Sequence, residues 1–221
     1  MTDSPNNLEL QKTPDGSYTL LRTDIGETYH SRHGALTESQ HVFIENGLKL
    51  NNKKELVVLE VGLGTMLNAY LAAQYAEENK IKINYWALEN YPVPSEFLHR
   101  PKMHWDSEQL QYKKLIASSW EKEISLNPYF TISKLETDAL AYQPKVNIDI
   151  IFFDAFAPNY QGEMWDKEYF QRLYNQLNPD GIFTTYCAKG SVRRDLESVG
   201  FTIERKPGPP GKREMLVGFR K

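Results

Sequence analysis

One cysteine, Cys187, is all that the 221 residues contain. That excludes an intrachain disulfide and any cysteine-based metal cluster, and it points to a reducing compartment. Long apolar runs are missing too: no stretch approaches the roughly 18 residues that a membrane-spanning helix requires. The opening MTDSPNNLEL has neither the basic start nor the apolar stretch of a secretory leader. The expectation is a cytoplasmic protein with no membrane partner. Positive charge is not in excess either: 26 Lys and Arg stand against 29 Asp and Glu, a formal charge of −3, so there is no global basic footprint for nucleic acid. The histidines, His30, His33, His41, His99 and His104, form no H-E-x-x-H pattern, and no metal is expected. No internal repeat, low-complexity segment or Gly/Ser-rich linker divides the chain.

What is present is the composition of an ordinary globular domain, 40% hydrophobic and 25% charged. The charge is unevenly spread. From Lys189 to Lys221 nine basic residues face four acidic ones, leaving the rest of the chain at −8; this hints at an anionic partner for the C-terminal part, against the alternative of a solvated basic face. Residues 1–50 read as an N-terminal extension of hairpin and helix, and residues 51–221 as the main domain. In the extension, LELQKT and SYTLLRT flank the turn Pro14-Asp15-Gly16. Thr37 with Gln40 three residues on resembles a capping box that opens a helix through HVFIENGL, ending near Gly47.

Beyond residue 55 strands and helices alternate. LVVLEVG (56–62), INYWALE (83–89), FTISKLE (130–136), IDIIFFD (148–154), IFTTYC (182–187), FTIERK (201–206) and MLVGFRK (215–221) read as strands. Helices are predicted over 65–79, 106–123, 166–177 and 191–199, with Asn178-Pro179-Asp180-Gly181 as a turn. Such alternation implies a mainly parallel sheet with right-handed crossovers, and the short loop PGPPGK makes the last two strands an antiparallel hairpin. The expected fold is therefore α/β, a Rossmann-like class I S-adenosylmethionine-dependent methyltransferase with a mainly parallel seven-stranded sheet ending in an antiparallel hairpin.

In such sheets ligands lie beyond the carboxyl ends of the strands. Gly62 and Gly64, where the first strand turns into its helix, let the backbone approach a ligand closely; a plain tight turn also explains them. A dinucleotide fingerprint would need glycine at position 67, which is Leu67, and a P-loop would need Gly-Lys-Ser/Thr. Glu60 and Asn68 flank this turn and are counted with it as cofactor candidates. Glu89 ends the second strand, where a carboxylate can accept hydrogen bonds from both ribose hydroxyls, or is simply an exposed charge. Asp138 faces the adenine end of a cofactor or caps the segment DALAY. Asp154 is delivered to the sheet edge by an apolar strand; there it would meet both cofactor and acceptor, orienting an attacking amine and taking its proton, or else cap the following turn.

LEVGLGT, ALENYP, DAFAP, EMW, TTYCAKGSVRRDL, GF and GKREM, in this order and spacing, resemble the methyltransferase domain of the MnmC-type tRNA-modifying family. TYHSRHGALTESQHVF looks like that family's opening segment, so the resemblance runs from about Asp24 to Phe219. It implies methyl transfer from S-adenosylmethionine to the aminomethyl nitrogen of a wobble uridine in tRNA, giving 5-methylaminomethyl-uridine or its 2-thio form. It also implies cofactor contacts at the Gly62/Gly64 loop and Glu89, and a catalytic carboxylate at Asp154. Two-domain members carry a flavin-dependent oxidase; this chain stops after its seventh strand, so no FAD is expected in it, and it should act on an amine already exposed. Cys187 and Lys189 stand where small residues are commoner in the family.

On that reading Phe156, Pro158, Trp165 and Tyr186 line the uridine pocket, because a base taken out of its stack is held by aromatic faces; each can equally be core. Arg193, Arg194, Lys212 and Arg213 would meet tRNA phosphates. Two other classes compete. One is a small-molecule amine methyltransferase or polyamine aminopropyltransferase, which predicts an acidic amine pocket; the other is a non-catalytic tRNA-binding module, which predicts degraded cofactor positions.

Overall fold

A computed structural model describes residues 7–99 and 110–221. His104 and the start of the helix expected at 106 lie outside them. The N-terminal extension is a three-stranded antiparallel sheet, β1 (Leu8–Lys12), β2 (Tyr18–Arg22) and β3 (Glu27–Thr28), followed by helix α1 (Ala35–Ser39), which continues as a wider π-helical turn over Gln40–Glu45. The capping box expected at Thr37 and Gln40 is not formed. The helix starts two residues earlier, behind Gly34, and no side chain at that N-cap closes it. Its exposed N–H groups are met instead from the hairpin turn: Thr37 N–H donates to Asp15 Oδ2 at 2.9 Å, and Leu36 N–H to Ser17 Oγ at 3.2 Å. Partial burial pushes the Asp15 carboxyl up, but hydrogen bonds from Ser17, Thr37 and Thr13 outweigh it and hold the group well below the usual carboxylate range.

The main sheet has eight strands, not seven. In chain order its elements are β4 (Glu55–Val61), α2 (Leu67–Asn79), β5 (Lys82–Glu89), α3 (Ser95–Leu98), α4 (Leu110–Ala117), β6 (Glu123–Asn127), β7 (Phe130–Glu136), β8 (Ile148–Phe153), α5 (Lys167–Gln176), β9 (Leu177–Thr185), α6 (Gly190–Ser198), β10 (Thr202–Pro207) and β11 (Glu214–Phe219). The strand order is β10-β11-β9-β8-β4-β5-β7-β6. Strands β9, β8, β4, β5 and β7 run parallel; β11 returns antiparallel between β9 and β10, as the short loop demanded. The eighth strand, β6, which the sequence pattern does not disclose, pairs antiparallel with β7 at the far edge, and it begins at residue 123, where the expected helix was to end. The described helix stops at Ala117 because Lys134, buried on β7, donates its Nζ to the terminal carbonyls of Leu115 and Ile116 at 3.0 and 3.3 Å. Burial lowers that lysine's pKa to about 8.

Apolar clusters fill both faces of the sheet. Ile150 and Phe152 of β8 enter the layer shared with α2 and the N-terminal extension, while Ile151 and Phe153 enter the layer under α5 and α6. This two-sided burial is why the strand reads as a continuous apolar run. Its one interruption, Asp149, is fully engaged: it accepts from Val57 N–H at 2.8 Å, Lys53 Nζ at 2.6 Å and Asn178 Nδ2 at 2.8 Å. Asn178 thereby belongs to β9. The predicted turn Asn178-Pro179-Asp180-Gly181 is an outward bulge inside that strand, with Ile148 paired to Leu177 and Ile150 to Ile182. Strand β9 also ends earlier, at Thr185, which leaves Tyr186 and Cys187 beyond the sheet edge.

Candidate active site

The carboxyl ends of β4, β5, β7, β8 and β9 open into a cavity of about 810 Å³, and the segment from Arg22 to Glu38 closes it from the N-terminal side. Gly62 and Gly64 form its β4 rim. Gly62 has φ +90, and a Cβ there would lie 2.7 Å from the Asp154 carbonyl oxygen; Gly64 has φ +49, and its Cβ would lie 2.9 Å from the Tyr29 ring. Both positions require glycine for conformation and for space. Met66, just before α2, is itself held at φ 66, a left-handed strain that side-chain-bearing residues rarely accept.

Glu89 faces this loop. Its Oε2 accepts from Gly64 N–H at 2.8 Å and its Oε1 from Tyr91 N–H at 3.0 Å, so the carboxylate is fixed at the rim by backbone donors. Asp138 lines the same cavity and accepts from Leu140 N–H at 2.9 Å. It closes a turn rather than capping a helix, and it faces the cavity from the end of β7.

Asp154, at the end of β8, has a side-chain partner from α2. Asn68, on the first turn of α2, donates one amide nitrogen to both Asp154 Oδ2 (2.8 Å) and Glu60 Oε1 (2.9 Å). Glu60 and Asn68 are buried beneath the cavity and are not on its wall. Burial, reinforced by Asp154's charge, pushes the Glu60 carboxyl far up and disfavours its charged form. The same burial raises Asp154 to about 7; Glu38's charge adds to the rise, while Asn68 and Lys212 oppose it. Asp154 thus titrates where a proton acceptor is useful. Its Oδ1 has no hydrogen bond among the described residues and faces the cavity.

The other predicted residues divide. Phe156 lines the cavity, edge-on to Tyr29 at 5.1 Å, and Tyr186 lines it with its hydroxyl donating to Ala155 O at 2.9 Å. Trp165 does not line it: its Nε1 donates to Phe156 O at 2.8 Å and its ring packs 4.9 Å from Phe153, which places it in the core. Pro158 and Arg213 line a neighbouring groove of about 610 Å³, together with Lys189 and Arg205. The two cavities share Ala157, Tyr186 and Lys212. Arg193 is engaged with Glu197 on its own helix at 2.7 Å, and Arg194 lines neither space. Lys212 is not free for a phosphate in this structure: it is ion-paired to Glu38 and stands 3.9 Å over the Tyr186 ring. Sequence reasoning missed Tyr29, His30 and Glu38. His30 bonds Thr65 of the β4–α2 loop at 2.7 Å, pinning the extension to the rim. Among the described residues no group of three His, Cys, Asp or Glu side chains is placed to hold a metal ion, and no helix is long and apolar enough to cross a membrane.

A family model described as S-adenosyl-L-methionine-dependent methyltransferase matches residues 101–221. The chain is 32% identical to the tRNA 5-methylaminomethyl-2-thiouridine biosynthesis bifunctional protein MnmC of Pseudomonas syringae, over 88% of its own length and 32% of the relative's. It is 27% identical to the protein of that name from Chromobacterium violaceum, over 88% and 32%. The chain therefore spans about a third of the curated relatives it matches. Among solved structures, MNMC2 from Aquifex aeolicus superposes with a TM-score of 0.81 at 25% identity, covering 97% of this chain and 70% of that one.

Proposed function

As the chain belongs to the S-adenosyl-L-methionine-dependent methyltransferases, we propose that it methylates the amino nitrogen of 5-aminomethyl(-2-thio)uridine at the wobble position of tRNA, giving the 5-methylaminomethyl form. The observation that carries this reading is Asp154: a carboxylate with one free oxygen, poised near neutrality, on the floor of a cavity that adjoins a groove lined by cations. The names of the MnmC relatives support the substrate.

The residues present fit the cofactor, since Gly62, Gly64 and the carboxylates of Glu89 and Asp138 line one cavity at the carboxyl edge of the sheet. Gly62 and Gly64 would lie against it, Glu89 would accept hydrogen bonds from the ribose hydroxyls, and Asp138 would stand at the adenine side. When bound, S-adenosylmethionine supplies a methyl group activated by a positively charged sulfur. The chain's own task is to hold a neutral amine in line and to receive its proton. Asp154 Oδ1 would take the surplus proton that the nitrogen carries once it has accepted the methyl group, or pass it on to water. Asn68 keeps Asp154 aimed, and the burial that pushes Glu60 up disfavours a second charge beneath it. Phe156 offers a face for the flipped base, and Lys189 and Arg213 offer charge to the backbone phosphates, while Arg205 is paired with Glu214 in the same groove.

A second reading, methyl or aminopropyl transfer to a small amine, draws on Glu38 and Asp154 lining one cavity, but it leaves the cationic groove without a role. Incubation with labelled cofactor and tRNA lacking this methylation, followed by nucleoside mass spectrometry, tests the first reading. A parallel incubation with polyamines tests the second. One methyl added to the aminomethyl nucleoside is expected; label in the polyamine alone overturns the tRNA assignment.

A further inference from the structure

Glu38 takes no part in the chemistry described above, yet it reaches the cavity from α1 with a side chain only 7% exposed. Its Oε1 is fixed by Ser31 N–H at 2.9 Å, and its Oε2 receives the Lys212 ammonium. That ammonium also stands 3.9 Å from the centroid of the Tyr186 ring, well inside the range in which a ring face attracts a cation. The ring cannot turn away. Its hydroxyl is tied to Ala155 O at 2.9 Å, and Trp165 meets it edge-on at 6.3 Å. A fixed carboxylate and a fixed aromatic face are the partners an alkyl ammonium seeks, and here they hold one, a primary ammonium on a methylene carbon. The acceptor in the proposed reaction carries the same group, and Ala155, the neighbour of Asp154, is part of the site's frame.

Resting on that reading of the acceptor as a primary amine, we propose that Glu38 and the face of Tyr186 form the ammonium subsite of the cavity, and that Lys212 holds it as an internal stand-in for the substrate's amine. Lys212 has somewhere else to go. Its side chain is 30% exposed and also lines the groove with Lys189, Arg205 and Arg213. An incoming amine attached to a polyanion brings both the replacement for Lys212 at Glu38 and a phosphate for Lys212 to pair with. The amine is captured in its charged form at Glu38, releases one proton to water in the open cavity, and turns as the neutral amine to attack beside Asp154, which takes the second proton.

The alternative is an ion pair that merely latches the β10–β11 loop to the extension. The two differ in sign. Binding of 5-aminomethyluridine and of its neutral isostere 5-hydroxymethyluridine to the full chain is measured by titration calorimetry for the parent, Glu38→Gln and Lys212→Met, with the melting temperature of each. The parent is expected to prefer the amine. Glu38→Gln should lose about tenfold in amine affinity, and Lys212→Met should gain about threefold or more, with the hydroxymethyl compound unmoved in both. Should Glu38→Gln fail to fold, the parent's preference and the Lys212→Met gain still decide. Weakening of the amine by Lys212→Met, or no preference in the parent, overturns the proposal. If the parent methylates tRNA while this happens, the subsite alone is wrong; if it does not, the tRNA reading falls separately.

Discussion

Replacing Asp154 by asparagine keeps the shape of the side chain and an acceptor for Asn68 Nδ2 while removing a charge that the fold resists. The carboxyl is raised from 3.8 to about 7, first by burial and then by Glu38. At about 1.4 kcal/mol per tenfold change in proton affinity, that displacement amounts to about 4 kcal/mol. The side chain faces an open cavity, and roughly half of this survives the screening. Below about pH 4 the group is protonated in both folded and unfolded chains and contributes no difference. Between about 4 and 7 the unfolded chain ionises while the folded one keeps its proton, so stability falls as pH rises, and above about 7 the full penalty stands. The neutral amide of the Asp154→Asn variant carries no such penalty. The variant should match the parent at pH 4 and exceed it by about 2 kcal/mol at pH 8, a rise of roughly 4–8 °C in melting temperature for a chain of this size. Single-turnover methylation should move the other way, falling by a factor on the order of 10²–10⁴. The parent's rate should climb through an inflection near pH 7 that the variant lacks. A variant that melts lower than the parent at pH 8 and methylates normally per folded molecule would identify Asp154 as a structural cap and refute the assignment.

Glu89→Gln should weaken cofactor binding by about ten- to a hundredfold in calorimetry, the loss expected when hydrogen bonds to a charged acceptor become neutral ones; unchanged affinity would remove Glu89 from the ribose. Asp15→Ala removes the acceptor for Thr37 N–H and should lower stability by about 1–2 kcal/mol in denaturant titration. Because the folded Asp15 is held below its ordinary value, the stability it contributes is present above about pH 4 and lost as pH falls through the depressed range, so parent and variant should converge in acid. Arg213→Gln and Lys189→Gln should each lower the log–log salt slope of tRNA binding by about one, whereas Arg193→Ala, already paired with Glu197, should change it little.

The parts of this site that the sequence discloses are those that one strand makes alone. Apart from Asp149, Ile148 to Phe153 are apolar because both faces of β8 are covered, and the first charge after them, Asp154, must then stand at the sheet edge. Gly62 and Gly64 are legible for the same reason, since a strand that turns sharply needs them in its own backbone. What stayed hidden is supplied from elsewhere in the chain. The NPDG bulge looks like a turn until Asn178 is seen bonding Asp149 across the sheet. Strand β6 has no apolar alternation strong enough to separate it from a helix, because as an edge strand it buries only Leu126 fully. The helix at Ala35 is capped by Asp15, twenty-two positions away from Thr37, so a search for a local cap finds Thr37 and misplaces the start. Trp165 carries the residue type of a base-stacking side chain, but its N–H finds Phe156 O and turns the ring inward. The Glu38–Lys212 pair is the extreme case, with partners 174 positions apart. Neither residue has a neighbour that marks it: Glu38 sits in a short helix of mixed polarity, and Lys212 in a basic loop that reads as a phosphate contact. Only when the extension folds back over the carboxyl edge do the carboxylate, the ammonium and the Tyr186 ring meet. On the proposed reading, the specificity of this cavity resides in the segment that periodicity describes least, while its chemistry resides in the strand that periodicity describes best.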